Sequence, residues 1–249
     1  MQDCETCCDN DDMQQDTRRT NAPLERVRRA VSPLTVLVVI LLAAGFVCLG
    51  WVGWQYFGTN IVSRQEAGKE VIALEETWGQ RTSPSGEEPN PAPTPPPIED
   101  ADMGDAQWLV RIPELGDDWV WPVVAGVGDD DLKKGVGWYP TTAQPGQVGN
   151  FALAGHRVTN GEPFRRMLDL RVGDEVVIET HDFLLTYELI SSPGQLTVQD
   201  TDTWVLDPVP GHEGVQPTES LITLTTCEDL FHSPDRSVAF GKLTSAEAK

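Results

Sequence analysis

Basic residues are scarce in this sequence. Its 249 residues include 18 Lys and Arg against 39 Asp and Glu, which gives a formal net charge of −21. Nucleic-acid binding needs a basic face that replaces the counterions of the phosphates. The charge balance therefore argues against DNA or RNA as a partner. The length allows one or two domains, and the uneven distribution of residues along the chain favours one.

Charged residues are absent from 30–63, and within this stretch 34–54 is an almost unbroken apolar run. Such a run is long enough to cross a hydrocarbon core of about 30 Å as a helix. Because it is long and begins more than 30 residues into the chain, we interpret it as an uncleaved anchor, not as a signal peptide. The basic residues that flank it are Arg18, Arg19, Arg26, Arg28 and Arg29 before the run, and Arg64 and Lys69 after it. This excess predicts a single-pass protein of the cell membrane with residues 1–33 cytoplasmic and the rest extracellular.

Cysteine is also scarce. Of the 5 cysteines, Cys4, Cys7 and Cys8 lie in the predicted cytoplasmic tail, Cys48 lies in the predicted span, and Cys227 alone is exported. A lone exported thiol cannot form an intramolecular disulfide and is open to oxidation, so we expect a function to retain it. A buried structural cysteine is the alternative. The tail cluster lacks a histidine or a fourth cysteine to complete a zinc site, which leaves lipid attachment or no role. No residues predict a cofactor or a metal.

The exported part divides by composition into a stalk and a globular domain. Residues 55–106 form the predicted stalk: 64–79 has mixed charges typical of a short helix leading away from the membrane, and 82–100 contains seven prolines. Such proline density favours an extended, semi-rigid spacer. Residues 107–245 are the only segment able to bury a core, so we expect them to form one domain.

Short apolar runs separated by Gly, Pro and Asp predict a mainly β domain. The predicted strands are Trp108–Ile112, Trp119–Val124, Asn150–Ala154, Glu175–Thr180, Leu184–Ser191, Leu221–Cys227 and Ser237–Leu243. Short helices are predicted over 129–134 and 163–170, and a hairpin turn at His181 and Asp182. This many short strands favours a closed or nearly closed antiparallel barrel. The acidic run 129–131 is interpreted as solvated, and a cation site is the alternative.

The spacing around Cys227 predicts a reactive thiol beside an arginine. Cys227 ends one predicted strand, and Arg236 stands just before the next. If the two strands pair as a hairpin, opposed side chains lie about 5 Å apart. A neighbouring cation favours the reactive thiolate, and a guanidinium also offers fixed donors to an oxyanion. The alternative is a solvated Arg236 at a strand edge.

Acyl transfer by a thiol also needs a proton donor for the leaving amine, which is most often a histidine. The exported part holds His156, His181, His212 and His232. His156 ends an apolar strand and is the first candidate, and His232 is the second. His181 fits a turn, and His212 fits a loop rich in Pro and Gly.

These residues resemble the sortases, and most closely the class E type of actinobacteria. The resemblance covers roughly 107–243. Its motifs are Ala154-Gly-His156-Arg157, Pro163-Phe164 through Leu170, Gly173-Asp174 with Val176, and Leu224-Thr-Thr-Cys227 with Arg236 nine positions later. The order of these blocks behind a membrane anchor is typical of that family. The resemblance implies a closed barrel of about eight strands with short helices, preceded by one transmembrane helix and a Pro-rich linker.

The resemblance also implies a cysteine transpeptidase. Cys227 would be the nucleophile on the Thr carbonyl of a carboxyl-terminal LAXTG or LPXTG motif, His156 the general acid and then base, and Arg236 the group holding the carbonyl. Thr226 would help shape the oxyanion hole. Trp119 and Trp121, which stand in a segment where relatives carry Tyr, would form a groove floor near the motif. Glu228 and Asp229 depart from the neutral residue and Pro of relatives, and we expect them to face solvent.

Implied partners are secreted proteins that bear sorting signals and an amine acceptor from a peptidoglycan precursor or a pilin. Two other functions stay open: a noncatalytic cell-surface binding or stalk protein with a structural thiol, and a thiol hydrolase on the same scaffold.

Overall fold

The computed structural model describes residues 32–54, 58–80, 102–227 and 233–249. The tail cysteines, the Pro-rich spacer, Glu228, Asp229 and His232 lie outside these ranges, so the predictions made for them remain predictions.

The apolar run forms helix α1, Pro33–Gly53, which differs by one residue at each end from the predicted span. Its 21 residues have a mean hydropathy of 2.6 over the most apolar window, and none of them is buried. At 1.5 Å per residue the helix is about 31 Å long. A helix that is apolar all round and exposed has the length and composition of a membrane span.

Helix α2, Thr59–Gln80, replaces the short helix predicted in the stalk and packs on the barrel. Ser63, Ala67 and Val71 are buried, and their spacing of four residues places them on one face of the helix. This stripe is too small and too weakly apolar to stand out in the sequence. The helix contacts strands β1, Ala106–Arg111, and β2, Val120–Ala125.

The remaining described residues form the predicted barrel. The other elements are α3, Asp129–Leu132; β3, Val136–Trp138; β4, Gly149–Ala154; β5, Glu175–Glu179; β6, Phe183–Leu189; β7, Thr197–Gln199; β8, Ser220–Cys227; and β9, Asp235–Ala248. Eight strands close in the order β6-β5-β1-β2-β3-β4-β8-β9, with β9 returning to β6, and β7 adds to the edge of β9. The closed, mainly β fold is thus confirmed.

Strand direction differs in part from the all-antiparallel expectation. Six of the eight barrel pairings are antiparallel, whereas β2–β3 and β4–β8 are parallel. Parallel neighbours need a crossover connection, and here β5, β6 and β7 lie in the chain between β4 and β8. The predicted helix over 163–170 is mostly turns, with a 3-10 segment only at Met167–Asp169.

The barrel interior is filled by aromatic and aliphatic side chains. Trp108 meets Trp138 and Phe151 edge to face, with ring centroids 5.3 Å and 5.7 Å apart. Strand β4 is also covered on its outer side, because the buried Asn150 amide donates to the carbonyls of Val205 and Asp207 at 3.0 Å and 3.1 Å. These contacts fix the frame from which the end of β4 projects.

The phenol of Tyr187 is fully buried and accepts the backbone N–H of Gly146 at 2.7 Å. Replacing Tyr187 by Phe leaves that N–H without its acceptor, so we expect a loss of about 1–3 kcal/mol of unfolding free energy. Thermal unfolding measures this loss. Tyr139→Phe, at a half-buried position, is the control, and equal midpoints for the two variants would contradict the assignment.

Candidate active site

The register of the β8–β9 hairpin sets Cys227 opposite Arg236. Cys227 is the last residue of β8, and its Cα pairs with that of Arg236, the second residue of β9. The thiol is free and half-buried. The predicted thiol–arginine juxtaposition is therefore present at one rim of the barrel.

The parallel pairing of β4 with β8 brings His156 to the same rim. Ala154 pairs with Thr225, and the next residue, Gly155, donates its N–H to the Thr225 carbonyl at 3.1 Å. The Thr226 hydroxyl donates to the Gly155 carbonyl at 2.8 Å. His156 and Cys227 are the residues that follow these bonded pairs, one on each strand. Carboxyl ends of parallel strands meet at one edge of a sheet, so imidazole and thiol share it.

The Arg236 guanidinium is held by its own end of the hairpin. Its Nη1 donates to the carbonyls of Ser233 at 2.5 Å and Asp235 at 3.1 Å, and Nη2 lies 3.6 Å from a carboxylate oxygen of Asp200. The side chain is 26% exposed. Arginine has five donors, more than these contacts use, so a ligand at the rim can still be bound.

The other predicted site residues are Thr226, Trp119 and Trp121. Thr226 is 2% exposed, and its hydroxyl holds the ends of β4 and β8 together. Trp119 donates its indole N–H to the Pro163 carbonyl at 3.2 Å and stacks on Phe164. Trp119 and Trp121 line a cleft of about 410 Å³ beneath α2. Among the described residues, that cleft lining does not include Cys227, His156 or Arg236, so the groove-floor role stays a prediction.

The other described histidines lie away from this rim. His181 is in the β5–β6 turn, bonded to Asp182, and the adjoining Phe183 pairs with Ala248 at the far end of β9. Because Arg236 stands at the near end, His181 belongs to the opposite rim. His212 lies in an exposed loop.

The environment of His156 favours its neutral form. Burial lowers the pKa of His156, and the positive charge of Lys133 lowers it further, whereas the negative charge of Asp129 raises it. Within the part of the chain that the structure describes, the buried Nε2 has no hydrogen-bond partner. An unpaired, buried imidazole nitrogen at a rim with a thiol is suited to exchange a proton with a bound molecule.

Two site contributions were missed in the sequence. Asp129 in α3 and Lys133 at its carboxyl-terminal cap shift the pKa of His156, although Asp129 is exposed to solvent as predicted. Asp200 pairs with Arg236 across 36 residues of chain. Spacing identifies α3 as a helix, but no pattern within it points to His156, and β7, which precedes Asp200, is only three residues long. Both contributions come from tertiary contacts.

The chain is thus a closed β-barrel protein with a cysteine, a histidine and an arginine at one rim. Residues 110–244 match the model of the sortase domain family. The chain therefore belongs to the sortase family, whose members are cysteine transpeptidases.

Individual relatives agree with this assignment. Sortase SrtE1 of Streptomyces coelicolor is 33% identical over 246 residues, covering 89% of this chain and 63% of that protein. The structure of sortase E from Streptomyces avermitilis has 40% identity and a TM-score of 0.53, covering 59% of this chain and 93% of that one. The structure of sortase E1 from Streptomyces coelicolor with a tripeptide in the active site has 36% identity and a TM-score of 0.51, covering 60% and 94%. The chain thus spans less than two thirds of the length of SrtE1, and class E is supported.

Charge substitutions in α3 should move the titration of His156 in opposite directions. Asp129→Asn removes a negative charge and should lower the pKa of His156 further, whereas Lys133→Gln should raise it. Lys133→Gln also frees the carboxylate of Asp130, which Lys133 binds at 2.8 Å, and this reinforces the rise. NMR titration of the imidazole carbons, assigned with His156→Gln, measures both shifts. Shifts of the same sign would contradict the proposed electrostatics.

Proposed function

We propose that this sortase cleaves a carboxyl-terminal sorting motif between Thr and Gly and joins the new carboxyl end to an amine. One observation carries the proposal: the sheet register that sets Cys227 opposite Arg236 and beside the strand end that bears His156. Nucleophile, proton carrier and oxyanion donor then come from three neighbouring strands of one rigid barrel.

The proposed reaction has two balanced halves. Transfer of the Cys227 thiol proton to the neutral His156 forms the reactive thiolate and imidazolium. The thiolate attacks the Thr carbonyl, the Thr–Gly amide breaks, and the imidazolium donates that proton to the departing Gly amine, which leaves a thioester. An acceptor amine then attacks the thioester carbonyl and gives a proton to His156, and the Cys227 thiolate departs. Arg236 donates hydrogen bonds to the carbonyl oxygen, which becomes an oxyanion in both steps.

Burial and strand geometry support these roles. Partial burial of Cys227 excludes part of the solvent, which strengthens hydrogen bonds from the guanidinium to an oxyanion. The Thr226 hydroxyl, bound to the Gly155 carbonyl at 2.8 Å, holds the two strand ends at a fixed spacing. We therefore propose that Thr226 acts by positioning the site.

The substrate is proposed at the level of the motif. The class E resemblance favours LAXTG over LPXTG, and Trp119 and Trp121 are the proposed substrate-facing aromatics. Donor substrates are secreted proteins with such a signal at their carboxyl end. The proposed acceptor is an amine of a peptidoglycan precursor or of a pilin subunit.

The proposed location is the cell membrane, with α1 as the single span and the amino terminus in the cytoplasm. The length and apolar surface of α1 support the anchor, and the arginines that precede it support the orientation. The barrel and its active site are then extracellular.

Turnover of LAXTG and LPXTG peptides by the full chain in detergent micelles, with and without triglycine, tests the function. We expect cleavage and a ligated product, with LAXTG preferred. Cys227→Ala should abolish turnover, His156→Ala should lower it about 10²–10⁴-fold, and Arg236→Ala about 10²–10³-fold. Arg236→Lys keeps the charge but loses the planar fork of donors, so its turnover should lie between that of wild type and that of Arg236→Ala.

The alternatives give different products. Release of the cleaved peptide without ligation, even with the amine present, would indicate a thiol hydrolase. No turnover of either peptide together with an unreactive Cys227 would indicate a noncatalytic surface protein. Equal turnover by wild type and Cys227→Ala would contradict the mechanism.

Labelling with a membrane-impermeant maleimide tests the orientation. Two variants each carry one cysteine: the first keeps only Cys4, and the second has His212→Cys in a background without the native cysteines. On intact cells the second should be labelled, because His212 lies in an exposed loop. The first should react only after permeabilisation. The reverse result would contradict the proposed topology.

A further inference from the structure

The loop that carries His156 has an unusual backbone. We call residues 155–166 the histidine loop. It closes on itself through the Phe164 N–H, which donates to the His156 carbonyl at 3.0 Å. Asn160, Gly161 and Glu162 have φ angles of 52°, 83° and 56°, so three consecutive residues adopt the left-handed region that only glycine tolerates freely. Such a backbone persists only where its surroundings hold it in place.

Helix α2 supplies that support through one amide side chain. Asn60, in the first turn of α2, accepts the Gly161 N–H on Oδ1 at 2.9 Å. Its Nδ2 donates to the Glu162 carboxylate at 2.7 Å and to the Val158 carbonyl at 3.4 Å. Asn60 therefore binds the middle and last residues of the left-handed turn, and also Val158, two positions after His156.

A second residue of α2 adds to this contact. The Arg64 Nε donates to the Gly161 carbonyl at 3.0 Å, and its guanidinium lies 4.0 Å from the Glu162 carboxylate, which also binds Arg165. The far side of Gly161 faces the Trp121 ring, which a Cβ there would approach to 2.6 Å. The turn is thus held between α2 and the barrel.

The helix is itself fixed to the strands along its length. Ala67 and Val71 are buried against the barrel, Glu75 pairs with Arg111 of β1 at 3.1 Å, and the Lys249 ammonium lies 4.5 Å from the centre of the Trp78 ring. These contacts make α2 a rigid support, with Asn60 at the end nearest the histidine loop.

We propose that α2 is a positioning element of the active site, and that Asn60 is the positioning residue that sets the place of His156 by holding the histidine loop. The proposal rests on the proposed function, in which His156 carries the proton of acyl transfer. Asn60 binds the histidine loop and acts through His156. Helix α2 thereby contributes to the geometry of the active site.

The test compares Asn60 variants of the full chain in detergent micelles. Asn60→Ala should lower kcat for LAXTG transpeptidation about tenfold, with KM within about twofold, because a displaced general acid impairs chemistry more than binding. The pKa of His156 should also rise toward its ordinary value, because the freed loop admits water. NMR titration of the imidazole measures this, and a purely structural role for Asn60 would leave it unmoved.

A matched control separates the loss of Asn60 from a general effect of changing α2. Gln65→Ala, at an exposed position of α2, should behave as wild type. Asn60→Asp sets a second carboxylate against Glu162 and should be impaired. Adding Glu162→Gln restores a donor and acceptor pair and should recover at least part of kcat. This rescue keeps the test decisive if Asn60→Ala unfolds.

The outcomes distinguish the two proposals. If His156→Ala abolishes turnover while Asn60→Ala and Asn60→Asp match wild type in kcat and in the pKa of His156, the positioning proposal is overturned and the proposed function stands. If Asn60→Asp is impaired and Glu162→Gln does not rescue it, the proposed pairing is also wrong. If His156→Ala retains full turnover, the proposed function itself fails.

Discussion

The site depends on the parallel pairing of β4 with β8. Two hydrogen bonds at the end of this pair, from the Gly155 N–H to the Thr225 carbonyl and from the Thr226 hydroxyl to the Gly155 carbonyl, lock the strand ends together. His156 follows Gly155, two residues beyond the end of β4, and Cys227 ends β8. Register in a sheet is strongly specified where faces are buried, and both strands are buried along most of their length. The imidazole and thiol are thus placed by the same forces that hold the barrel closed.

Arg236 and His156 are held by contacts outside this pair. The guanidinium is retained at the hairpin end by two backbone carbonyls and by Asp200, so it is oriented before any ligand arrives. His156 lies at the start of the histidine loop, which α2 binds. Charged residues at the two ends of α3 shift the pKa of His156. Because these side chains are oriented before a ligand binds, less reorganisation is needed during the reaction. Two helices on a mainly β barrel therefore act on one imidazole: α2 on its position and α3 on its pKa.

Much of this arrangement could be predicted from the sequence where local pattern decides structure. The seven predicted strands occur close to their expected positions, and the nine-residue spacing from Cys227 to Arg236 correctly indicated a hairpin that opposes them. Strands β3 and β7, with three residues each, are too short to show alternation. The parallel direction of β4 and β8 was not predicted because it follows from a crossover, not from either strand.

The support from helices was missed for a related reason. Ser63, Ala67 and Val71 form the buried face of α2, yet two of the three are small, so the segment resembled a charged stalk. Asn60 gives no signal in the sequence, because its contact with the left-handed turn at Gly161 exists only in the folded chain. Likewise, Asp129 and Lys133 become informative about His156 only when the barrel sets α3 near that rim. Each of these contacts joins residues far apart in the chain.

In the proposed reaction the Cys227 sulfur carries the acyl group between amines. Intact mass spectrometry of the full chain mixed with a LAXTG peptide, with no acceptor amine present, tests it most directly. We expect an adduct with the mass of the peptide up to and including Thr, less one water. Digestion should locate it to the fragment that contains Cys227, it should be absent from Cys227→Ala, and triglycine should remove it. An adduct on another residue, or one that persists in Cys227→Ala, would contradict it.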